Sequence, residues 1–136
     1  MAAKKAPKAR FDTMKVGHYS FVAGIAIAVT AGIINQFLGA GQVSLVTLAL
    51  VLLGVIVGFL NIQTKEREPF LIAAIALGTG SIATYALDPL NLISIGIGSI
   101  GIGALFIGMV GNISIFVAPA AIIVAIKTIW DLGSTR

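Results

Sequence analysis

Apolar residues run with few interruptions from Tyr19 to Ile129, and this feature constrains the fold more than any other. Hydrophobic residues make up 58% of the 136 residues, charged residues make up 10%, and the mean hydropathy is +1.07. Soluble domains carry roughly 25% charged residues, and a small water-soluble domain cannot bury this much apolar surface. The sequence therefore predicts an all-α integral membrane protein. Its single transmembrane helical domain covers residues 18–131, between a basic N-terminal tail (1–17), disordered or lying on the membrane surface, and a short C-terminal tail (132–136).

Four segments have the length of a membrane-spanning helix. They cover about residues 19–38, 43–62, 70–87 and 113–130, and each approaches the ~20 residues that a ~30 Å hydrocarbon layer requires. Residues 39–42 leave room only for a tight turn, which makes the first two helices antiparallel neighbours. Asp88-Pro89 ends the third segment, because proline disfavours helix in the residue before it.

A glycine-rich segment, residues 92–111, separates the third and fourth predicted spans. One straight helix from Leu90 to Ile129 would be ~60 Å long, about twice the thickness of the hydrocarbon layer. We therefore expect a hinge at Gly111-Asn112, two residues that favour turns, and a mild bend at Pro119. A strand is excluded unless it closes into a barrel, because lipid cannot satisfy its backbone groups, so the segment is predicted to be a membrane-embedded or interfacial helix.

Basic residues distinguish four membrane crossings from five. If the N-terminus is cytoplasmic and the glycine-rich segment does not cross, all nine Lys and Arg residues face the cytoplasm, and the C-terminus is cytoplasmic too. If the segment crosses, the C-terminus lies outside with two basic residues. The positive-inside rule favours four transmembrane helices plus the glycine-rich helix, with five transmembrane helices as the alternative. The first apolar run is longer than the 7–15 residues of a signal-peptide core, which favours an uncleaved anchor.

Basic and aromatic residues flanking the apolar region are predicted to lie at the lipid interface. Their charges set the orientation of the chain, while lysine side chains extend toward water and an indole lies among headgroups. The set comprises Lys4, Lys5, Lys8, Arg10, Lys15, Lys127 and Trp130. The expected partner is the lipid bilayer. A nucleic-acid partner is not expected, because the tail has one aromatic residue, Phe11, and no folded platform for base stacking.

Small residues in the glycine-rich segment recur at helical spacing. Steps of three and four residues place them on one stripe of a helix, and such a stripe lets a second helix approach closely. The stripe comprises Ser94, Gly98, Gly101, Ala104, Gly108 and Gly111. It predicts a structural or accessory helix-packing module that self-associates into a homo-oligomer or binds other membrane helices.

The same stripe supports an alternative function, a homo-oligomeric pore or channel lined by the glycine-rich segment. The order of a small-residue helix, Gly111-Asn112 and a second helix resembles the pore helix of small-conductance mechanosensitive channels, around residues 94–112. The soluble vestibule of those channels has no counterpart here. The resemblance therefore implies a pore-lining role for this segment and no membership of that family.

Residues that carry chemistry are scarce. The chain has no cysteine, which excludes disulfides, thiolate catalysis and cysteine-ligated metals. His18 is the only histidine, and we expect it at the interface beside Tyr19. A G-x-G-x-x-G pattern at Gly96, Gly98 and Gly101 lacks the preceding soluble strand and the later acidic residue of a dinucleotide site. We expect no catalytic, cofactor-binding or metal-binding residues, no enzyme activity and no small-molecule substrate.

Overall fold

The structure, a computed structural model, describes residues 8–60, 62–95 and 100–135, with side chains from His18 onward except that of Ile95. Helix accounts for 87% of the described residues. Three helices are long and apolar enough to cross a membrane, namely Ala40–Leu60, Arg67–Leu92 and Ile102–Ser134. A further apolar helical stretch, His18–Ile34, is shorter. The predicted helical, membrane-compatible fold is thereby confirmed.

The first two helices form an antiparallel pair joined by a short turn. α1 covers Lys8–Ile34 and α2 covers Ala40–Leu60. The backbone is thus already helical within the predicted N-terminal tail, and α1 ends before residue 38. Gln42 stabilises the start of α2, because its Oε1 accepts a 3.3 Å hydrogen bond from the Gly39 backbone N–H, as in a capping box.

The third helix changes type along its length. α3 covers Arg67–Ile82 and continues as a 3₁₀ helix, Ala83–Leu92. Near this change Ser81 Oγ donates to the Gly78 carbonyl and Thr84 Oγ1 donates to the Ser81 carbonyl, both at 2.7 Å. Such side-chain bonds compete with the regular backbone pattern. The helical chain continues past the expected end at Asp88-Pro89, because the 3₁₀ helix includes Pro89.

A short antiparallel hairpin follows, and it corrects two expectations. β1 covers Ser94–Ile95 and β2 covers Ile100–Gly101, with Ser94 opposite Gly101. The predictions that residues 92–111 form one helix and that no strand forms there are therefore wrong. The hairpin pairs the backbone groups that face each other across its two strands. Its outer edges remain open, so it fits a place that water or other parts of the protein reach and not one exposed to lipid. Residues 96–99, which include Gly96 and Gly98, lie outside the described residues.

The last helix is longer than expected. α4 covers Ile102–Ser134, and at ~1.5 Å per residue it extends about 50 Å. The predicted hinge at Gly111-Asn112 is wrong, because α4 passes through both residues. The mild bend expected at Pro119, which also lies inside α4, stays a prediction. Asn112 is accommodated because its Nδ2 donates a 2.8 Å hydrogen bond to the Gly108 carbonyl one turn earlier. Residues 102–111 form the first turns of α4. The five-helix alternative requires a separate glycine-rich helix, and the described residues contain none.

α4 forms the centre of the bundle. α1, α2 and α3 all pack against it, and Phe116, Leu50 and Val124 are completely buried. The Phe21 ring of α1 lies 6.1 Å from the Phe116 ring of α4 and 5.9 Å from the Phe70 ring of α3, centroid to centroid. These three aromatic rings join α1, α3 and α4 near the end where α3 begins.

Candidate helix-packing surfaces

Glycines on α1 and α2 mark the places where these helices approach α4 most closely. Gly24, Gly32, Gly54 and Gly58 all face atoms of α4. A Cβ added at Gly58 would lie 2.8 Å from the Cα of Ala120, and one added at Gly32 would lie 2.6 Å from the Cα of Met109. Backbone atoms cannot rotate away as a side chain can, so a larger residue would push the helices apart. Glycine therefore sets the helix separation here, as small residues do in membrane helix pairs.

Two members of the predicted stripe contact this chain's own helices. A Cβ added at Gly108 would lie 2.6 Å from the carbonyl oxygen of Gly32, so these two glycines form a reciprocal contact between α4 and α1. A Cβ added at Gly101 would lie 2.7 Å from the Cα of Asn91. The close approach expected of the stripe thus occurs within one chain at these positions.

Of the remaining described members of the stripe, Ala104 reaches that surface through its backbone, whereas Ser94 and Gly111 do not. Ser94 lies in β1 and is exposed. Ala104 lies in the first turn of α4, where its N–H donates to Asn91 Oδ1 at 2.7 Å. A Cβ added at Gly111 would meet no atom within 4 Å. If residues 94–111 formed one straight helix, these residues would lie on one face of it. In the structure Ser94 belongs to the hairpin and lies outside α4.

A pair of amide side chains links α1 to α4 beside the glycine contact. Asn35 Nδ2 donates a 3.2 Å hydrogen bond to Asn112 Oδ1, and Asn112 is only 6% exposed. One residue later, Gln36 Nε2 donates to the Ala104 carbonyl at 3.3 Å. The sequence analysis assigned Asn112 to a hinge and did not predict that Asn35 and Gln36 bond across to α4. The available signal was the presence of amides in otherwise apolar helices, since such groups form hydrogen bonds across helix interfaces.

Charged side chains join the helices at the opposite end of the bundle. Lys127 Nζ donates to the carbonyls of Gly58, at 3.2 Å, and Phe59, and lies 5.4 Å from the centroid of the Phe59 ring. This ammonium group therefore neutralises the exposed carbonyls and the negative dipole end of α2. Arg67, at the start of α3, forms an ion pair with Asp131 of α4.

The remaining predicted interface residues are only partly described. Trp130 is 76% exposed on α4, three residues after Lys127. Lys4 and Lys5 lie outside the described residues, and so do the side chains of Lys8, Arg10 and Lys15.

An open groove runs between α3 and α4, and seven of its twelve lining residues are Ala, Gly or Ser. It encloses about 530 Å³. We call it the small-residue groove; its lining is Leu71, Ala74, Ile75, Leu77, Gly78 and Ser81 of α3 with Ser114, Val117, Ala118, Ala121, Ile122 and Ala125 of α4. A Cβ added at Gly78 would meet no atom within 4 Å. Gly78 therefore differs from the glycines of α1 and α2 that face α4, because no neighbouring helix covers it.

Among the side chains that the structure describes, no three His, Asp or Glu residues lie together as a metal site requires. A comparison of the chain with known proteins finds no matching family, no matching curated protein and no matching solved structure. The candidate site is therefore defined by packing geometry, and its most specific elements are the small-residue groove and the glycine contacts.

Proposed function

We propose that the chain is a small integral membrane protein with four transmembrane helices, which acts as a structural or accessory helix-packing module by self-association through the small-residue groove. The observation that carries this proposal is the open face of Gly78, which contrasts with the filled faces of Gly32 and Gly58. In lipid, helices associate through close van der Waals packing, and small residues permit that approach.

α3 offers the surface that would fill such a groove. None of its residues is buried, and Ile72 and Ile75 are more than 60% exposed. These side chains form an apolar ridge beside the groove. A second copy of the chain would therefore present the same ridge and the same groove, which is the self-complementarity that a two-fold symmetric dimer requires.

The charged residues support the proposed orientation. Lys65 and Arg67 lie at the end of the bundle where α3 begins, and Lys127 binds the end of α2 at that same end. Placing this end in the cytoplasm satisfies the positive-inside rule and puts both termini on the cytoplasmic side. The apolar part of α1, His18–Ile34, has 17 residues, within the range of a spanning helix.

The pore alternative receives less support from this geometry. Gly101 and Gly108 pack against Asn91 and Gly32 of the same chain, so these positions are not free to face a water-filled channel. Planar-bilayer recording with the purified protein tests it, and a reproducible single-channel conductance would favour the pore over the packing module.

The self-association proposal is tested with two leucine variants on one helix. Gly78→Leu fills the groove, whereas Gly80→Leu places the same side chain at a position that is open but does not line the groove. We expect wild-type protein and Gly80→Leu to be dimeric or larger in analytical ultracentrifugation in detergent. Gly78→Leu should weaken the association about tenfold, a loss of about 1.4 kcal/mol. A strictly monomeric wild-type protein, or equal weakening by both variants, would contradict the proposal.

A further inference from the structure

The 3₁₀ helix that continues α3 is unusually long. It covers the ten residues Ala83–Leu92, and we call it the 3₁₀ segment. The hydrogen bonds of a 3₁₀ helix have poorer geometry than those of an α-helix, and runs longer than about four residues are uncommon. None of the residues in this segment is buried, so core packing does not impose the conformation. A run of this length therefore needs a cause outside its own packing.

The far end of the 3₁₀ segment is attached to the beginning of α4. Asn91 Oδ1 accepts a 2.7 Å hydrogen bond from the Ala104 backbone N–H, one of the N–H groups at a helix start that have no partner inside the helix. A Cβ added at Gly101 would lie 2.7 Å from the Cα of Asn91. A Cβ added at Gly103 would overlap the carbonyl oxygen of Leu87. These contacts hold the segment at a defined position on α4.

The other end of α3 is attached near the end of α4. Arg67 forms its ion pair with Asp131 there. The Phe70 ring of α3 also contacts the Phe21 ring, which in turn contacts the Phe116 ring of α4. α3 and the 3₁₀ segment therefore run along α4 between two polar attachments, Arg67–Asp131 and Asn91–Ala104.

These attachments are farther apart on α4 than a continuous α-helix from Arg67 to Asn91 could reach. Ala104 and Asp131 are 27 residues apart, which corresponds to ~40 Å of α-helix at ~1.5 Å per residue. Arg67 and Asn91 are 24 residues apart, which would give only ~36 Å of α-helix. A 3₁₀ helix rises ~2.0 Å per residue, so α3 followed by the 3₁₀ segment extends ~40 Å over the same interval. The 3₁₀ conformation thus supplies the missing length.

From this match in length we infer that the 3₁₀ segment is held extended by its two attachments and shortens to α-helix when either attachment is released. The shortening is ~5 Å if all ten residues convert and ~3 Å if the conversion stops before Pro89. Asn91 is exposed, and the Asp131 side chain is 55% exposed. Either attachment can therefore break without opening the buried core.

The shortening couples the two ends of the bundle. Release of Arg67 from Asp131 at one end lets α3 slide along α4 toward the hairpin at the other end. A shift of ~3–5 Å approaches the ~5.4 Å of one α-helical turn, so it changes which α3 residues lie beside Ala118 and Ala121 in the small-residue groove. This consequence for the groove rests on the proposed function, whereas the shortening itself does not.

Distance measurements between two spin labels by pulsed electron paramagnetic resonance test the shortening. The chain has no cysteine, so labels attach only at introduced cysteines. Ala76→Cys and Leu92→Cys, both at exposed positions, bracket the 3₁₀ segment. In full-length protein in lipid nanodiscs, diluted with unlabelled protein, Asn91→Ala should shorten the mean distance between the labels by about 3–5 Å. An unchanged distance would overturn the inference, because the local sequence would then suffice to set the 3₁₀ conformation.

Two controls separate release of the attachment from general damage. Asn91→Asp keeps a side-chain oxygen that accepts a hydrogen bond from the Ala104 N–H, so it should keep the wild-type distance. A second pair of labels at Leu45 and Ile56, exposed positions on α2, should give one distance in every variant. Equal shortening in Asn91→Asp and Asn91→Ala, or a change at the α2 pair, would contradict the inference.

Arg67→Gln releases the opposite attachment and replaces Asn91→Ala if that variant fails to fold, as judged by circular dichroism. It should shorten the distance between positions 76 and 92 by less than Asn91→Ala, because Phe70 still contacts Phe21. An unchanged distance in this variant would then overturn the inference. Analytical ultracentrifugation reports self-association separately. A monomeric wild-type protein whose label distance still shortens in Asn91→Ala would contradict the proposed function and support the shortening.

Discussion

The two sides of α4 use the same residue type in opposite ways. On the side of α1 and α2, Gly32 and Gly58 lie directly against backbone atoms of α4. On the side of α3, Gly78 and Gly80 have open space where a Cβ would be. Glycine therefore does not by itself identify a helix contact in this chain; the neighbouring helix determines whether its surface is filled.

The two sides of α4 should therefore affect different properties, one the folding stability of the chain and the other its association with other molecules. The filled side holds the fold together, because its packing density depends on every missing Cβ. The open side buries less surface, since α3 has no fully buried residue and only partly buried side chains such as Phe70, Ala74 and Leu77 pack against the core. Substitutions on the first side should change the free energy of unfolding, and substitutions on the second side should change contacts with other molecules.

The largest effect is expected from an alanine placed between α2 and α4. At Gly54 the added Cβ would overlap the carbonyl oxygen of Phe116, and overpacking of this kind costs about 1–3 kcal/mol or more. Gly80→Ala should instead be neutral or stabilising, because alanine exceeds glycine in helix propensity by up to about 1 kcal/mol. Unfolding by sodium dodecyl sulfate in mixed micelles, followed by circular dichroism, measures both. Similar losses for the two variants would remove the distinction between the filled and open sides.

A somewhat smaller loss is expected when the central side chain is removed. Phe116 is completely buried and contacts Phe21, so Phe116→Ala leaves a cavity. In soluble proteins this change costs about 3–5 kcal/mol. We expect about 2 kcal/mol here, because lipid removes most of the water-transfer part and leaves the packing part. Ile129→Ala, at an exposed position on the same helix, should change stability by less than about 0.5 kcal/mol in the same titration. An equal loss of stability for Ile129→Ala would show that buried and exposed positions of α4 contribute alike to the fold.

Sequence reasoning succeeds where the signal is local. A tight turn between the first two helices is predicted at residues 39–42 and is found a few residues earlier, between Ile34 and Ala40. The third helix is predicted from about residue 70 and begins at Arg67. Apolar composition and segment length together predict helices compatible with a membrane. Each of these inferences depends on a few adjacent residues, which is why it survives the comparison with the structure.

The failures concern residues whose partners are distant in sequence. Gly111-Asn112 predicts a turn from local preferences in water, yet Asn112 lies inside α4 and binds Asn35, 77 residues away. In an apolar environment an unbroken helix pairs every backbone group internally, which outweighs those local preferences. The hairpin at Ser94–Gly101 was missed because the sequence argument placed the whole segment in lipid and admitted a strand there only as part of a closed barrel. The cavity that Phe21 of α1 and Phe70 of α3 line together was also missed, because it requires α1 and α3 to be placed side by side.

The amide pair gives a sharper measure of the filled side. A double-mutant cycle with Asn35→Leu and Asn112→Leu isolates the α1–α4 hydrogen bond of 3.2 Å. Such bonds in membrane proteins average about 0.6 kcal/mol and reach about 1.7 kcal/mol, so we expect a coupling energy within this range in the same unfolding titration. Additive losses, with no coupling, would mean that the Asn35–Asn112 bond adds nothing to stability and that the glycine and aromatic contacts, with the Gln36 hydrogen bond, join α1 to α4.

The smallest effect is expected at the ion pair that links α3 to α4. The Arg67 side chain is 16% exposed and that of Asp131 is 55% exposed, so water and salt screen their attraction and its contribution should stay below about 1 kcal/mol. A double-mutant cycle with Arg67→Gln and Asp131→Asn should give a coupling that shrinks further in concentrated salt. A coupling above that limit, unchanged by salt, would make α3 a firmly bound helix and weaken the contrast between the two sides. A small coupling instead leaves α3 attached mainly by apolar contacts, as expected for the helix whose outer surface is proposed to pack against a second copy.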